Sequence, residues 1–219
     1  MDWAYEIFRF TFPLLAFLSG SIPYSLLIAR AWAGIDIREH GSGNPGASNV
    51  IRVVGPVPGG LAFLCDAGKG ALPVWLAGLV TASMEPEPAI WYSLLTGFLA
   101  GAGHIWSPFL NFKGGKGVAT FAGVFAVLFP PGMLMALGVF ALVVAVFRVF
   151  SLGSILGSLT LPVAYFIFTE EPFSAARLPL LGVCVLVALL ILIRHTDNLK
   201  RLLRGEEHGL LKDSAEPGG

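Results

Sequence analysis

Seven apolar stretches, each at or near the length needed to cross a bilayer, constrain this chain more than any other feature. They run over roughly 10–32, 66–83, 90–109, 117–130, 131–148, 152–169 and 177–194. A spanning helix needs about 20 predominantly apolar residues, somewhat fewer where the bilayer thins. Hydrocarbon offers no partner to a backbone N–H or C=O, so the stretches are predicted to be helices. The expected fold is an all-α integral membrane protein with seven transmembrane helices. Composition agrees: 55% of the 219 residues are hydrophobic and 13% charged. A mean hydropathy of +0.77 lies outside the range of ordinary soluble domains.

The fourth and fifth stretches are parted only by Pro130, Pro131 and Gly132, which read as a tight turn between two short helices. The segment 53–65 is apolar but broken by Pro56, Pro58, Gly59 and Gly60, and reads as a short helix or re-entrant element at the membrane surface. Cys65 and Cys184 lack metal-ligand spacing and read as core filler, and neither metal nor cofactor is expected. The first stretch has no basic leader and no clear cleavage site, as expected of a retained span that also serves as the signal. Residues 1–207 read as one membrane-embedded domain and 208–219 as a disordered cytoplasmic tail.

Basic residues set the expected orientation. Arg38, Arg52, Lys69, Lys113, Lys116, Lys200, Arg201, Arg204 and Lys212 fall on one side, and only Arg9 and Arg177 on the other. The positive-inside rule then puts the amino terminus outside and the carboxyl terminus in the cytoplasm. The formal net charge is zero, and no basic, aromatic-interleaved surface suited to nucleic acid is present.

All the unusual polar stretches share that cytoplasmic side: "SGSIPYS" (19–25), "REHGSGNPGASNVIR" (38–52), "DAGKG" (66–70) opening the second span, "GHIWSPFLNFKGGKGVAT" (103–120), "RVFSLGS" (148–154) and "RHTDNLKRL" (194–202). Gly41, Gly43 and Gly46 permit sharp turns whose successive amides form a nest for anionic oxygens. Ser42, Asn44, Ser48 and Asn49 add neutral donors; the alternative is an ordinary polar loop. Lys113 and Lys116 flank Gly114 and Gly115 just before a predicted helix, whose dipole favours an anion. The Walker spacing is absent, so a nucleotide is not implied. Two such loops on one face suit two phosphates, or one substrate with two anionic ends.

His104 reads as a hydrogen-bonded structural histidine or a proton carrier, and His195 with Asn198 as one helical face at the water boundary. Asp66 and Lys69 share a face and are expected to neutralise each other at a helix start; Ser151 and Ser154 are ligands or close-packing residues. No nucleophile elbow, zinc motif or His-Asp base dyad is present. Any reaction here is then expected to need little from the protein beyond holding anions, which a substrate with its own good leaving group would satisfy.

Taken together and in order, "GSIPYS", "GSGNPGASN", "DAGKG", "GHIWSPFLNFKGGKGVAT", "SLGS" and "RHTDNLKRLLRGEE" resemble the bacterial membrane acyl-phosphate:glycerol-3-phosphate acyltransferase family, from about residue 19 to about 207. The resemblance implies a seven-helix enzyme of the inner membrane with its active face cytoplasmic. That enzyme transfers a fatty acyl group from acyl phosphate to glycerol 3-phosphate and makes lysophosphatidic acid. It implies that Ser42, Gly43, Asn44, Gly46 and Asn49 form a phosphate loop. Lys116, Arg52, Ser151, His195 and Asn198 would hold the phosphates and orient the glycerol, and His104 matches the "GH" of the third-span motif. Ser48 stands where Thr is expected and keeps the hydroxyl. Ser42, Lys116, His195 and Asn198 are expected to act in the reaction itself, by direct transfer without an acyl-enzyme. The rival reading is a transporter for a phosphorylated metabolite; it requires binding groups near the midplane and repeated halves, and no repeat is visible.

Overall fold

The computed structural model describes residues 3–82, 85–207 and 209, and every regular element among them is helical. Besides two single-turn 3-10 helices (Ile37–Glu39 and Pro108–Leu110), ten α-helices follow in order among the described residues: α1 (Trp3–Gly20), α2 (Tyr24–Ala33), α3 (Ala47–Val53), α4 (Pro56–Val80), α5 (Pro86–Ile105), α6 (Val118–Leu128), α7 (Pro130–Phe147), α8 (Phe150–Phe168), α9 (Leu178–Arg194) and α10 (Thr196–Arg204). Residues Phe10–Ala33, α4, α7 and α8 are long and apolar enough to cross a membrane; a fifth span is counted if α9 and α10, bent by 57°, are taken as one. Except for Gly209, the segment read as a tail lies outside the described residues.

Proline and glycine decide where the helices break, and three expectations need correction here. Proline disfavours the helical region for the residue before it. Phe129 accordingly sits at φ −148°, ψ 66°, and α7 begins at Pro130. Pro131 and Gly132 therefore belong to the first turn of α7, and the corner is the single residue Phe129. Second, 53–65 is not a separate surface element. Gly55, at φ +130°, ends α3, and Pro56 and Pro58 fall in the first turn of α4, where a missing N–H costs nothing. Third, "DAGKG" does not open a helix: residues 66–70 lie midway along the 25 residues of α4.

At the centre of the bundle α5 packs against α1, α4, α6 and α9, while α7 and α8 form a hairpin that joins the rest through α6 and α9. The α4–α6 contact is backbone-close: a Cβ on Gly70 would meet the carbonyl of Thr120, and one on Gly123 that of Ala67. The largest buried cluster gathers Phe121, Phe125, Phe129, Leu161, Tyr165, Val187 and their neighbours from α4 to α9. Cys184 belongs to it, whereas Cys65 is only half-buried.

A buried charge cluster ties α4 to its neighbours. Lys69 Nζ lies 2.7 Å from Asp66 Oδ1 and donates to the carbonyl of Ile22 at 2.7 Å, across the break between α1 and α2. Ser25 Oγ donates to Asp66 Oδ2 at 2.7 Å, and His104 Nδ1 stands 3.7 Å from Asp66 Oδ1. Asp66 is 1% exposed and Lys69 5%, so neither charge has water to fall back on. Removing one partner of a buried pair leaves the other uncompensated. Asp66→Ala is expected to destabilise the fold by about 3–5 kcal/mol, read as a fall in the thermal midpoint of purified protein in detergent; an unchanged midpoint would contradict the assignment.

Candidate active site

The helix ends that carry the basic loops converge on two adjoining cavities. One, of about 410 Å³, lies between α3, α4, α6, α7, α8 and the α9–α10 corner. Its mouth carries Ser42, Arg52, Lys116, Ser151, His195 and Asn198, and its depth is lined by apolar residues of α6, α7 and α8. The second, of about 290 Å³, is polar and basic: Lys113, Lys116, Arg194 and Arg201 line it with Ser42, Asn44 and Asn198. Ser42, Asn44, Lys116 and Asn198 face both.

The glycine-rich loop 41–46 keeps its shape through Asn49, which is fully buried. Asn49 Nδ2 donates to the carbonyls of Ile37 and His40 at 3.0 and 2.9 Å, and its Oδ1 accepts from the amide of Ser42 at 3.0 Å. Gly41 and Gly43 hold positive φ of 58° and 67°. Asn49 is thus the loop's internal brace, and the Ser42 side of the loop faces the cavities.

The second loop does not offer its glycine amides to a ligand. The amides of Gly114 and Gly115 donate to the carbonyls of Ile105 and His104 at 3.0 and 3.1 Å, and so are spent on the end of α5. Gly115 lies directly on the His104 ring, where a Cβ would meet Nε2. Arg194 Nη2 donates to the carbonyls of Gly114 and Gly115 at 3.3 and 3.2 Å from the opposite side. The two glycines are there for close approach, and the group they present is Lys116.

Lys116 Nζ donates to Asn198 Oδ1. Asn198 Nδ2 in turn donates to Glu207 Oε1 at 2.5 Å, and that carboxylate also accepts from Ser151 Oγ at 2.8 Å and Arg201 Nε at 2.8 Å. Burial pushes the Lys116 ammonium down to about 8; Glu207 opposes this, while Arg201, Arg194 and Arg52 add to it. For Glu207 burial acts upward, but hydrogen bonds from Asn198, Ser151 and Arg201 outweigh it and hold the carboxyl below its ordinary range. His195, just past the end of α9, is 3% exposed. Burial, reinforced by Lys116, pushes it down to about 4, so the ring is neutral at pH 7. A carbonyl can only accept, so His195 Nδ1, 2.8 Å from the carbonyl of Ile191, carries the proton. Nε2 is left with its lone pair.

Of the residues predicted for the site, Ser42, Asn44, Gly46, Ser48, Arg52, His104, Lys116, Ser151, His195 and Asn198 line the larger cavity, and Gly43, Lys113 and Gly114 the smaller. Gly41, Asn49 and Gly115 line neither and support those that do. The sequence gives no role to Glu207, and the only signal for it is the acidic pair Glu206–Glu207 that closes the "RHTDNLKRLLRG" run. Asp66, read as a helix-start partner of Lys69, reaches the wall of the larger cavity.

The sequence profile of the family described as glycerol-3-phosphate acyltransferase matches residues 10–205. The chain belongs to this family. It is 41% identical over 198 residues to the glycerol-3-phosphate acyltransferase of Thermosynechococcus vestitus, covering 89% of this chain and 91% of that one. It is 45% identical over 192 residues to the protein of the same name from Trichlorobacter lovleyi, covering 88% and 92%. The fold is similar to the crystal structure of PlsY (YgiH), an integral membrane glycerol 3-phosphate acyltransferase, in its glycerol 3-phosphate form. The TM-score there is 0.81 at 33% identity, with 92% of this chain and 94% of that chain covered. The lysophosphatidic acid form of PlsY gives a TM-score of 0.79 at the same identity and coverage.

Glu207 is the group that holds Lys116 protonated against burial. Glu207→Gln is expected to lower the thermal midpoint, at about 1.5–3 kcal/mol for each charged hydrogen bond lost. It should also move the alkaline weakening of inorganic phosphate binding to lower pH. A lowered midpoint with the pH profile unmoved would leave Glu207 a structural brace only.

Proposed function

We propose that this chain transfers a fatty acyl group from acyl phosphate to the primary hydroxyl of glycerol 3-phosphate, releasing inorganic phosphate and forming lysophosphatidic acid. The observation that carries the reading is the meeting of two cavities at Lys116 and Asn198, one continuing into an apolar groove and the other polar and basic. A lipid-soluble donor suits the first and a water-soluble phosphorylated acceptor the second. Ser42, Arg52, Ser151 and Lys116 face the donor phosphate, and Lys113, Arg194 and Arg201 the acceptor phosphate.

An acyl phosphate is a mixed anhydride, so its carbonyl needs no further activation and the bond to phosphate breaks readily. The acceptor hydroxyl oxygen attacks the carbonyl carbon, the bond from that carbon to the phosphate oxygen breaks, and the hydroxyl proton leaves with the phosphate. Holding the two reactants in line supplies on the order of 7–11 kcal/mol, and Lys116 with Asn198 stabilises charge on the departing oxygens. His195 at about 4 is a weaker base than a phosphate group, whose second ionisation lies near 6. The leaving phosphate therefore takes the proton of the attacking hydroxyl, while His195 Nε2 accepts a hydrogen bond from the neighbouring secondary hydroxyl and so orients the glycerol.

Transfer is direct. Of the serines along the groove, Ser151 donates to a carboxylate held in its ionised form, and Ser154 and Ser158 donate to carbonyls of their own helix. Among the described residues none of them is hydrogen-bonded to a histidine.

The proposed topology has seven crossings, by the α1–α2 pair, α4, α5, α6, α7, α8 and α9, with the amino terminus outside and the site on the cytoplasmic face of the bacterial inner membrane. At 11 residues, α6 is about 16 Å long at 1.5 Å per residue, against a hydrocarbon core of about 30 Å. The loop that precedes it therefore dips below the headgroups, and Lys116 meets its substrates at the boundary between water and lipid. Transport is the weaker reading, since the charged groups gather at one end of the bundle and the named relatives are acyltransferases.

Purified protein in detergent should convert labelled glycerol 3-phosphate to lysophosphatidic acid with an acyl phosphate and not with acyl-CoA; uptake only into sealed vesicles would favour transport. Lys116 loses its charge as the pH rises through about 8, so kcat/KM should fall above that pH. In Lys116→Arg, where the cation does not titrate, any remaining activity should lack that limb; a fall at the same pH in the variant would assign it to another group.

A further inference from the structure

The apolar depth of the larger cavity has a definite end. On α8 its lining runs from Ser151 at the mouth to Leu161, ten residues or about 15 Å at 1.5 Å per residue. That is close to half the hydrocarbon core of a bilayer, about 30 Å, and so to the depth of one lipid leaflet. At the bottom the lining is Phe125 of α6, Met133 of α7 and Leu161 of α8. Beneath them a second layer lines no part of the cavity. Phe129, at the α6–α7 corner, is 6% exposed, with its ring pressed on Gly132 where a Cβ would collide. Tyr165 is fully buried, and its hydroxyl donates to the carbonyl of Pro172 at 2.7 Å. This second layer cannot retreat to admit more chain.

Above the floor the groove has an open side. Phe63 of α4 and Leu137 of α7 both line the cavity and are 37% and 44% exposed. A chain that outgrows the floor must bend out through this slot and lose its packing in the groove. A chain that falls short leaves the floor unfilled. Met133 is the member of the floor that is only partly buried, and its unbranched side chain adapts to a mobile chain end.

Resting on the reading that this groove takes the acyl chain of the donor, we propose that Met133 sets the acyl-chain length the protein accepts, as the floor of a groove one leaflet deep. One methylene in an apolar pocket changes specificity by roughly 10-fold or more, so a change of floor is readable in kinetics.

The test measures kcat/KM for a series of saturated acyl phosphates from lauroyl to stearoyl, with purified protein in detergent. Met133→Ala deepens the groove and should move the optimum to longer chains, raising the ratio of longest to shortest donor by about 10-fold. Ala122→Leu, at a half-buried position midway down α6, fills the groove and should move the optimum to shorter chains. It carries the test if Met133→Ala does not fold. Unaltered length profiles in variants that still turn over would overturn the proposal. Failure of the unmodified protein with every acyl phosphate would instead overturn the donor assignment on which it rests.

Discussion

One ammonium, that of Lys116, stands where the two cavities meet, and much of the surrounding structure serves to keep it there. Its loop is bonded to the end of α5 through Gly114 and Gly115, clasped from the other side by Arg194, and tied to α10 through Asn198. His104, under Gly115, belongs to the buried cluster of Asp66 and Lys69, which also fixes the break between α1 and α2. Burying a cation this way is costly, and Glu207 offsets part of the cost. The result is a positive charge partly stripped of water, and so strengthened toward any phosphate that reaches it.

The arrangement answers a solvent problem. In the proposed reaction the acceptor dissolves in water and the donor in lipid, and the reacting atoms must meet without either substrate leaving its own medium. A short α6 and a corner of one residue at Phe129 bring the polar mouth and the apolar groove together. In the proposed reaction the donor carries its own leaving group, and the protein supplies alignment and charge instead of a nucleophile.

Much of this was legible in the sequence, because the bilayer makes helix positions a matter of apolar length and because polar residues near hydrocarbon are costly enough to stand out. Lys116, His195, Asn198, Ser151 and Arg52 stood out for that reason, the family resemblance gave them their expected role, and they line one cavity. Helix continuity was less legible. Prolines 56 and 58 looked like breaks and proved to be a helix start, since proline at a first turn and proline at an interruption look alike in sequence. The glycines of "KGGKG" looked like a nest, and only tertiary contact shows their amides spent on α5. Glu207 escaped because nothing in sequence sets it apart from Glu206 beside it; its meaning comes from Ser151, 56 positions away.

The central claim is that donor and acceptor occupy separate, adjoining cavities at the same time. The most direct measurement is calorimetric titration of glycerol 3-phosphate into protein saturated with an acyl phosphonate, a donor analogue whose phosphorus cannot leave. Binding should persist, with an affinity changed by the shared Lys116 but not abolished, and a ternary complex should form. Simple competition, with glycerol 3-phosphate excluded in proportion to analogue bound, would mean one anion site instead of two and would contradict the arrangement.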